Sequence, residues 1–65
     1  MKYYIIPPSL AATLHISGYR HGNESAGYLC NIGDLATYGP ERAVAEGAQE
    51  ITLQEAKQFV KQYKL

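Results

Sequence analysis

The sequence predicts a small α+β fold in which a two- or three-stranded sheet packs against a C-terminal amphipathic helix, with one or two shorter helices. Three observations support this prediction. Residues 51–65 have helical periodicity and a marked start, residues 2–6 and 27–32 have strand composition, and a chain of 65 residues has room for one hydrophobic core. Residues 1–65 are therefore interpreted as a single domain.

The first predicted strand spans residues 2–6, which are rich in aromatic and β-branched side chains. Pro7 and Pro8 follow it, and a proline favours an extended conformation in the residue before it. Ser9 is then predicted to cap a short helix over residues 10–14. Because so short a helix is unstable alone, it has to pack against the sheet.

The middle of the chain contains the second predicted strand, residues 27–32, in which Tyr28, Cys30 and Ile32 share one face. Glycines punctuate residues 15–26, a pattern compatible with a loop or a brief strand. Since two strands are only marginally stable in water, we expect a third short strand from residues 15–20 or 49–51.

Two turn signals organise the region after the second strand. Asp34 is predicted to cap a turn that runs to Tyr38. A helix is predicted from Pro40 to Glu46, since proline suits the first helical position and Gly47 is a typical residue after a helix end.

The C-terminal helix has the clearest signal in the chain. Thr52 and Glu55 have capping-box spacing, in which each side chain bonds the backbone N–H of the other residue. At about 100° per residue, the apolar side chains of the segment fall within roughly 120° of arc. They predict a buried face formed by Leu53, Ala56, Phe59, Val60 and Tyr63.

Composition excludes several classes of protein. The formal net charge is zero, so there is no overall attraction to nucleic acid or to an anionic membrane. No apolar run approaches the ~20 residues of a membrane span, and the start of the chain lacks the apolar region of a signal peptide. A single cysteine argues against an oxidising compartment. We therefore expect a cytoplasmic protein that makes no contact with a membrane.

The candidate chemical groups do not assemble into a known motif. His15, His21 and Cys30 have spacings that match no common zinc arrangement. Cys30 lies within an apolar strand pattern, where cysteine behaves as a small hydrophobic residue. The glycines around Arg20 lack phosphate-loop spacing. The sequence therefore predicts no enzyme, no catalytic residue, no cofactor and no metal site.

The six tyrosines are the strongest functional hint, because tyrosine combines a large apolar ring with a polar tip and is enriched at protein interfaces. A chain of this size has a weak core of roughly 3–5 kcal/mol, and many small domains gain stability from a partner. With its N-terminal strand expected at a sheet edge, the chain is predicted to be a non-enzymatic interaction or regulatory protein, most simply a twofold homodimer. The expected contact residues are Tyr3, Tyr4, Tyr28 and Tyr63.

The alternative prediction is a small DNA-associated protein of a phage or mobile element. It would use a basic surface formed by Arg20, Lys57, Lys61 and Lys64. Residues 10–17 resemble the first helix and turn of a helix-turn-helix, and residues 51–56 resemble the opening helix of excisionase-type or MerR-type winged domains. Neither segment is followed by a recognition helix, so binding to nucleic acid is not favoured.

Overall fold

The computed structural model describes residues 1–63, which contain a four-stranded antiparallel sheet and three helices. This is the α+β class that the sequence predicts, although the sheet has four strands rather than two or three. The strand order is β2-β3-β1-β4. Along the chain the elements are β1 (Tyr3–Ile6), α1 (Pro8–Thr13), β2 (Gly22–Asn23), β3 (Gly27–Asn31), α2 (Pro40–Ala45), β4 (Gln49–Ile51) and α3 (Leu53–Gln62).

Strand β1 lies in the interior of the sheet. Its residue Tyr4 is opposite Cys30 of β3 on one side and opposite Glu50 of β4 on the other. The expectation that the N-terminal strand forms a sheet edge is therefore wrong. The edges are β2 and β4, because β3 and β4 pair with the two sides of β1 and β2 pairs with the far side of β3.

The third and fourth strands come from different parts of the chain. Residues 49–51 form β4, which confirms one of the two expected positions for a third strand. Residues 15–20 form no strand; instead Gly22–Asn23 pairs with the start of β3. The Asn23 side chain closes this hairpin, because its Oδ1 accepts hydrogen bonds from the backbone N–H groups of Ser25 at 2.9 Å and Ala26 at 2.7 Å.

Helix α1 begins two residues earlier than predicted, at Pro8, and Ser9 does not cap it. Proline suits the first helical position because its fixed φ matches the helix and it lacks one of the N–H groups that have no partner there. Ser9 instead lies in the first turn, where its carbonyl accepts a hydrogen bond from Thr13 Oγ1 at 3.0 Å.

The turn after β3 runs to Tyr38 as predicted, but the hydrogen bonds of Asp34 differ from the prediction. Asp34 does not cap the residues that follow it; its carboxylate accepts a hydrogen bond from the backbone N–H of Asn31, which precedes it. Helix α2 then begins at Pro40 and ends at Ala45, one residue short of the predicted end.

The main core lies between one face of the sheet and the helices α1 and α2. Ile6 and Leu35 are its largest fully buried side chains. The alternate residues of β3 point into it as predicted, with Ile32 partly buried against them. The buried cluster contains Tyr4, Ile6, Leu10, Ala11, Ile16, Tyr28, Cys30, Leu35, Ala43 and Ala48.

Helix α3 packs on the opposite face of the sheet, against β1 and β3. The predicted capping box is confirmed: Thr52 Oγ1 accepts from the Glu55 N–H at 3.1 Å, and the Glu55 carboxylate accepts from the Thr52 N–H at 2.9 Å. The predicted buried face is only partly correct. Ala56 is buried, but the Leu53 side chain is 53% exposed and that of Val60 37%. Residues 64 and 65 lie outside the described residues.

Candidate functional site

An apolar groove of about 510 Å³ runs between helix α3 and the sheet. Tyr3 and Leu29 contribute to it from the sheet, and α3 contributes Leu53, Ala56 and Val60. We call it the α3 groove. Of these helix residues only Ala56 is buried, so Leu53 and Val60 present apolar surface to solvent.

The position of α3 follows from its sequence. The capping box starts the helix directly after β4, so Leu53 is the first helical residue. The half-buried Phe59 and Tyr63 rings lie 4.6 Å apart, on the side of the helix that also carries Ala56. At about 100° per residue, Leu53 and Val60 then fall on the flank of this side. Two of the five apolar positions are thus left beside the sheet rather than against it.

The same flank of α3 carries positive charge. Lys57 and Lys61 also line the α3 groove, and both are exposed. Since they are four residues apart, they are neighbours on the helix surface. Among residues 1–63, none of those that line the groove is acidic. The groove therefore combines an apolar floor with a basic side.

A second groove, of about 670 Å³, lies on the opposite face of the sheet beside helix α2. We call it the α2 groove. Glu41 and Val44 of α2 line it together with Glu50 of β4, and the Val44 side chain is 50% exposed. Lys2 is the one basic residue among the described residues that line it, and its Nζ lies 3.9 Å from Glu50 Oε1. This groove therefore carries a net negative charge.

An ion pair stands close to the sheet side of the α3 groove. Arg20 Nη2 donates to Asp34 Oδ1 at 2.6 Å, and Arg20 Nε donates to Asp34 Oδ2 at 3.2 Å. Both residues line a small cavity of about 150 Å³ that Tyr3 and Leu29 also line. The pair holds the loop before β2 against the turn after β3.

The ion pair shifts the pKa of both of its partners. The hydrogen bond to Asp34 raises the pKa of the Arg20 guanidinium above its ordinary value. Partial burial by itself would raise the pKa of the Asp34 carboxyl, but the hydrogen bonds from Arg20 and from the Asn31 backbone, with the charge of Arg20, hold that pKa below its ordinary value. Both groups are therefore charged at neutral pH.

The tyrosines expected at an interface occupy different environments. Tyr4 and Tyr28 belong to the core, where they are 3% and 9% exposed. Tyr3 is half-buried and lines the α3 groove. Tyr63 is also half-buried, and its carbonyl lies 3.0 Å from His21 Nδ1. Of the four residues, Tyr3 is the one that the fold places in the groove.

The basic residues expected to contact nucleic acid are also divided. Lys57 and Lys61 lie together on α3, whereas the charge of Arg20 is paired with Asp34. Lys64 lies outside the described residues. Of the four residues predicted to form a basic surface, the structure therefore places two, Lys57 and Lys61, side by side.

Five residues that line the two grooves were not predicted as contact residues: Leu53, Val60, Glu41, Val44 and Glu50. A signal was present in α3, because the helical wheel puts Leu53 and Val60 on the side of the apolar arc nearest Lys57. No comparable signal marks the α2 groove, since its residues come from separate elements.

The nucleophilic and metal-ligating residues are dispersed. Burial raises the pKa of the Cys30 thiol to about 12, and the negative charge of Asp34 adds to the effect. His15 is exposed, and the His21 ring contacts the end of α3. Within residues 1–63, no three His, Cys, Asp or Glu side chains come together in a group that could hold a metal ion.

Among residues 1–63 there is no helix whose length and apolar character would let it cross a membrane. The chain matches no protein-family model, no curated protein and no solved structure.

Proposed function

We propose that this chain is a non-enzymatic interaction or regulatory protein that self-associates and uses the α3 groove as its contact surface. The observation that supports the proposal is the exposure of Leu53 and Val60 beside the sheet residues Tyr3 and Leu29. A partner that covers the groove removes this apolar surface from water, which is the main driving force of protein association.

The expected association is weak. Full burial of a leucine or valine side chain contributes about 1.5–3 kcal/mol, and these two side chains are already partly covered. They would together contribute on the order of 2 kcal/mol to association. Interfaces of small area are commonly transient, so we expect association at roughly 10 μM to 1 mM.

The chemistry of the thiol supports a role that does not involve covalent catalysis. Thiolate, rather than thiol, is the nucleophile in cysteine enzymes. Cys30 is buried, and its pKa of about 12 keeps it protonated at neutral pH.

The concentration dependence of the molecular mass tests the proposal. Sedimentation equilibrium from ~10 μM to ~1 mM should show the mass of the natural chain rising above 7.2 kDa. The variant L53S/V60S should stay at 7.2 kDa. A control variant, A12S/A36S, changes two exposed residues outside the groove and should behave like the natural chain. A monomeric natural chain over the whole range would contradict self-association.

The second candidate function is binding to DNA, which is supported by the neighbouring Lys57 and Lys61. We rank it second because the Arg20 charge is already paired with Asp34. Two phosphate contacts would give a slope of about −2 when log affinity for duplex DNA is plotted against log salt concentration. Fluorescence anisotropy with labelled duplex tests this, with K57Q/K61Q as the variant that should abolish the salt dependence.

A further inference from the structure

We propose that the chain self-associates head to tail, with the α3 groove of one copy receiving the α2 groove face of the next copy. This inference rests on the proposed function and names the partner surface. It replaces a twofold dimer with a contact between two different faces of the same chain.

The two grooves lie on opposite faces of the sheet, as the strand register shows. Tyr4 is opposite Glu50, and this face packs against α1 and α2. Tyr3 is opposite Ile51, and this face packs against α3. Because successive residues of a strand point to opposite faces, the two pairs belong to different faces. One copy can therefore use both grooves at the same time, each toward a different neighbour.

The grooves are complementary in charge. The α3 groove presents Lys57 and Lys61, and no acidic residue of the described part of the chain lines it. The α2 groove presents Glu41 and Glu50, and Lys2, which also lines it, is already close to Glu50. Opposite potentials on facing surfaces favour encounter and fix the orientation of a contact.

Apolar surface is also present on both sides of the proposed contact. Val44 is half exposed in the α2 groove, whose lining also contains Glu41 and Glu50. Leu53 and Val60 stand exposed in the α3 groove. The approach that brings the charges together therefore also covers the exposed branched side chains of both grooves.

A twofold contact through the α3 groove is disfavoured by the same charges. It would bring Lys57 and Lys61 of both copies together, and the described lining residues include no acid to offset their charge. Twofold pairing of two β4 edge strands is also disfavoured by charge. The strand has three residues with Glu50 in the middle, so a twofold pair would place the two Glu50 side chains opposite each other. Like charges directly opposite each other destabilise a strand pair.

Head-to-tail contact has a consequence that a twofold contact lacks. Each added copy leaves one unoccupied α3 groove and one unoccupied α2 groove at the ends, so the assembly grows with concentration rather than stopping at two copies.

Two variants, each with a different groove disrupted, test the head-to-tail contact. L53S/V60S damages the α3 groove, and E41Q/V44K places a cation in the α2 groove where the lysines of a neighbour would approach. All four positions are exposed, and circular dichroism checks that both variants fold. At concentrations where the natural chain is half associated, and up to about tenfold above them, each variant alone should stay at 7.2 kDa.

An equimolar mixture of the two variants should then recover association. The intact α3 groove of E41Q/V44K accepts the intact α2 groove of L53S/V60S, and the remaining faces are both disrupted. The mixture should therefore stop at twice the mass of 7.2 kDa. An isologous contact through one groove predicts no such recovery.

The nuclear magnetic resonance spectrum of the natural chain provides a second measurement that needs no variant. On concentration, the amide signals of residues 41–45 in α2 and of Leu53–Gln62 in α3 should shift together. Three outcomes would overturn the head-to-tail contact and leave self-association through the α3 groove intact. They are signal shifts confined to α3, a mass of the natural chain that stops at two copies, and a mixture of the two variants that stays monomeric. A natural chain that stays monomeric throughout would instead overturn the proposed function itself.

Discussion

Arg20 and Asp34 are joined by two parallel hydrogen bonds, from Nη2 at 2.6 Å and from Nε at 3.2 Å, although they are 14 residues apart in the chain. Asp34 is in turn tied to Asn31: the carboxylate accepts from the Asn31 N–H at 3.0 Å, and Asn31 Oδ1 accepts from the Asp34 N–H at 3.0 Å. The Arg20 side chain thereby holds the loop before β2 against the turn after β3.

Replacement of Asp34 by asparagine should lower the free energy of unfolding by about 1–3 kcal/mol, because charge-assisted hydrogen bonds are lost and Arg20 is left without its partner. Urea denaturation at neutral pH measures the change. The control is Glu24→Gln, an exposed acid in the hairpin turn, which should change stability by less than about 0.5 kcal/mol. An equal effect of both substitutions would contradict the role of the ion pair.

The stabilisation by Asp34 should also depend on pH. Its carboxyl has a lower pKa in the folded chain than in the unfolded chain, where an aspartate has a pKa of about 3.9. The stabilisation is therefore complete above that value and is lost as the pH falls through the lower folded pKa. Denaturation at a series of pH values should show the difference between the natural chain and D34N shrinking in acid. A difference that stays constant with pH would refute this origin.

Gly22 should tolerate no side chain. Its φ is +140°, and a Cβ built on it would collide with the carbonyl oxygen of Gly27. Gly22→Ala should therefore disrupt the pairing of β2 with β3 and lower the midpoint of thermal unfolding. Gly18→Ala is the matched control, because a Cβ there meets nothing within 4 Å. Equal midpoints for the two variants would show that the hairpin is not packed as described.

Loss of the cap of α3 should cost about 1 kcal/mol. Thr52→Ala removes the oxygen that accepts from the Glu55 N–H, whereas Thr52→Ser keeps it. We expect T52A to lower the free energy of unfolding in urea and T52S to leave it within a few tenths of a kcal/mol. Exchange of the Glu55 amide hydrogen should accelerate in T52A alone. Unchanged exchange would mean that the capping box does not hold the start of the helix.

The Cys30 thiol should be unreactive in the folded chain. It is buried, and burial raises its pKa to about 12. A disulfide reagent at pH 8 should label it only when the chain is unfolded in urea. The pKa of the thiol is about 8.5 in the unfolded chain and about 12 in the folded chain. The contribution of Cys30 to the free energy of unfolding is therefore fully present below about pH 8.5 and is lost as the pH rises toward about 12. Rapid labelling without denaturant would show that the thiol is accessible.

Two apolar residues should differ sharply in their effect on stability. Ile6 is fully buried, so Ile6→Ala should cost about 2–5 kcal/mol through lost burial and an unfilled cavity. Leu53 is 53% exposed, and Leu53→Ala should cost less than about 1 kcal/mol in the monomer. Chemical denaturation at low protein concentration compares them. A large cost at Leu53 would indicate that it is part of the core and not of a contact surface.

Features that depend on nearby residues were predictable from the sequence. The capping box of α3 joins Thr52 to a residue three positions away, and α2 starts at a proline that favours that position. The composition of β1 and β3 marks them as strands without reference to the rest of the chain. Signals of this kind depend on local hydrogen bonds and backbone preferences, which a short stretch of sequence contains.

The candidate site was less predictable, because it depends on which elements meet. Tyr3 and Tyr4 are consecutive and chemically identical, yet one lines the α3 groove and the other is buried in the core. The strand pleat separates them, and nothing in the composition indicates which face each helix covers. The α2 groove likewise joins Lys2, Glu41 and Glu50, which only the sheet pairing brings together.

By itself the sequence determined the α+β class, two of the strands, and the presence of an N-capped amphipathic helix at the C-terminal end. The tertiary structure alone decided that β1 is an inner strand, that β2 exists, and that Leu53 and Val60 stay exposed. The physical reason is the range of the interactions. Caps and turns form within a few residues, whereas strand order and helix placement result from competition among distant segments for the same sheet.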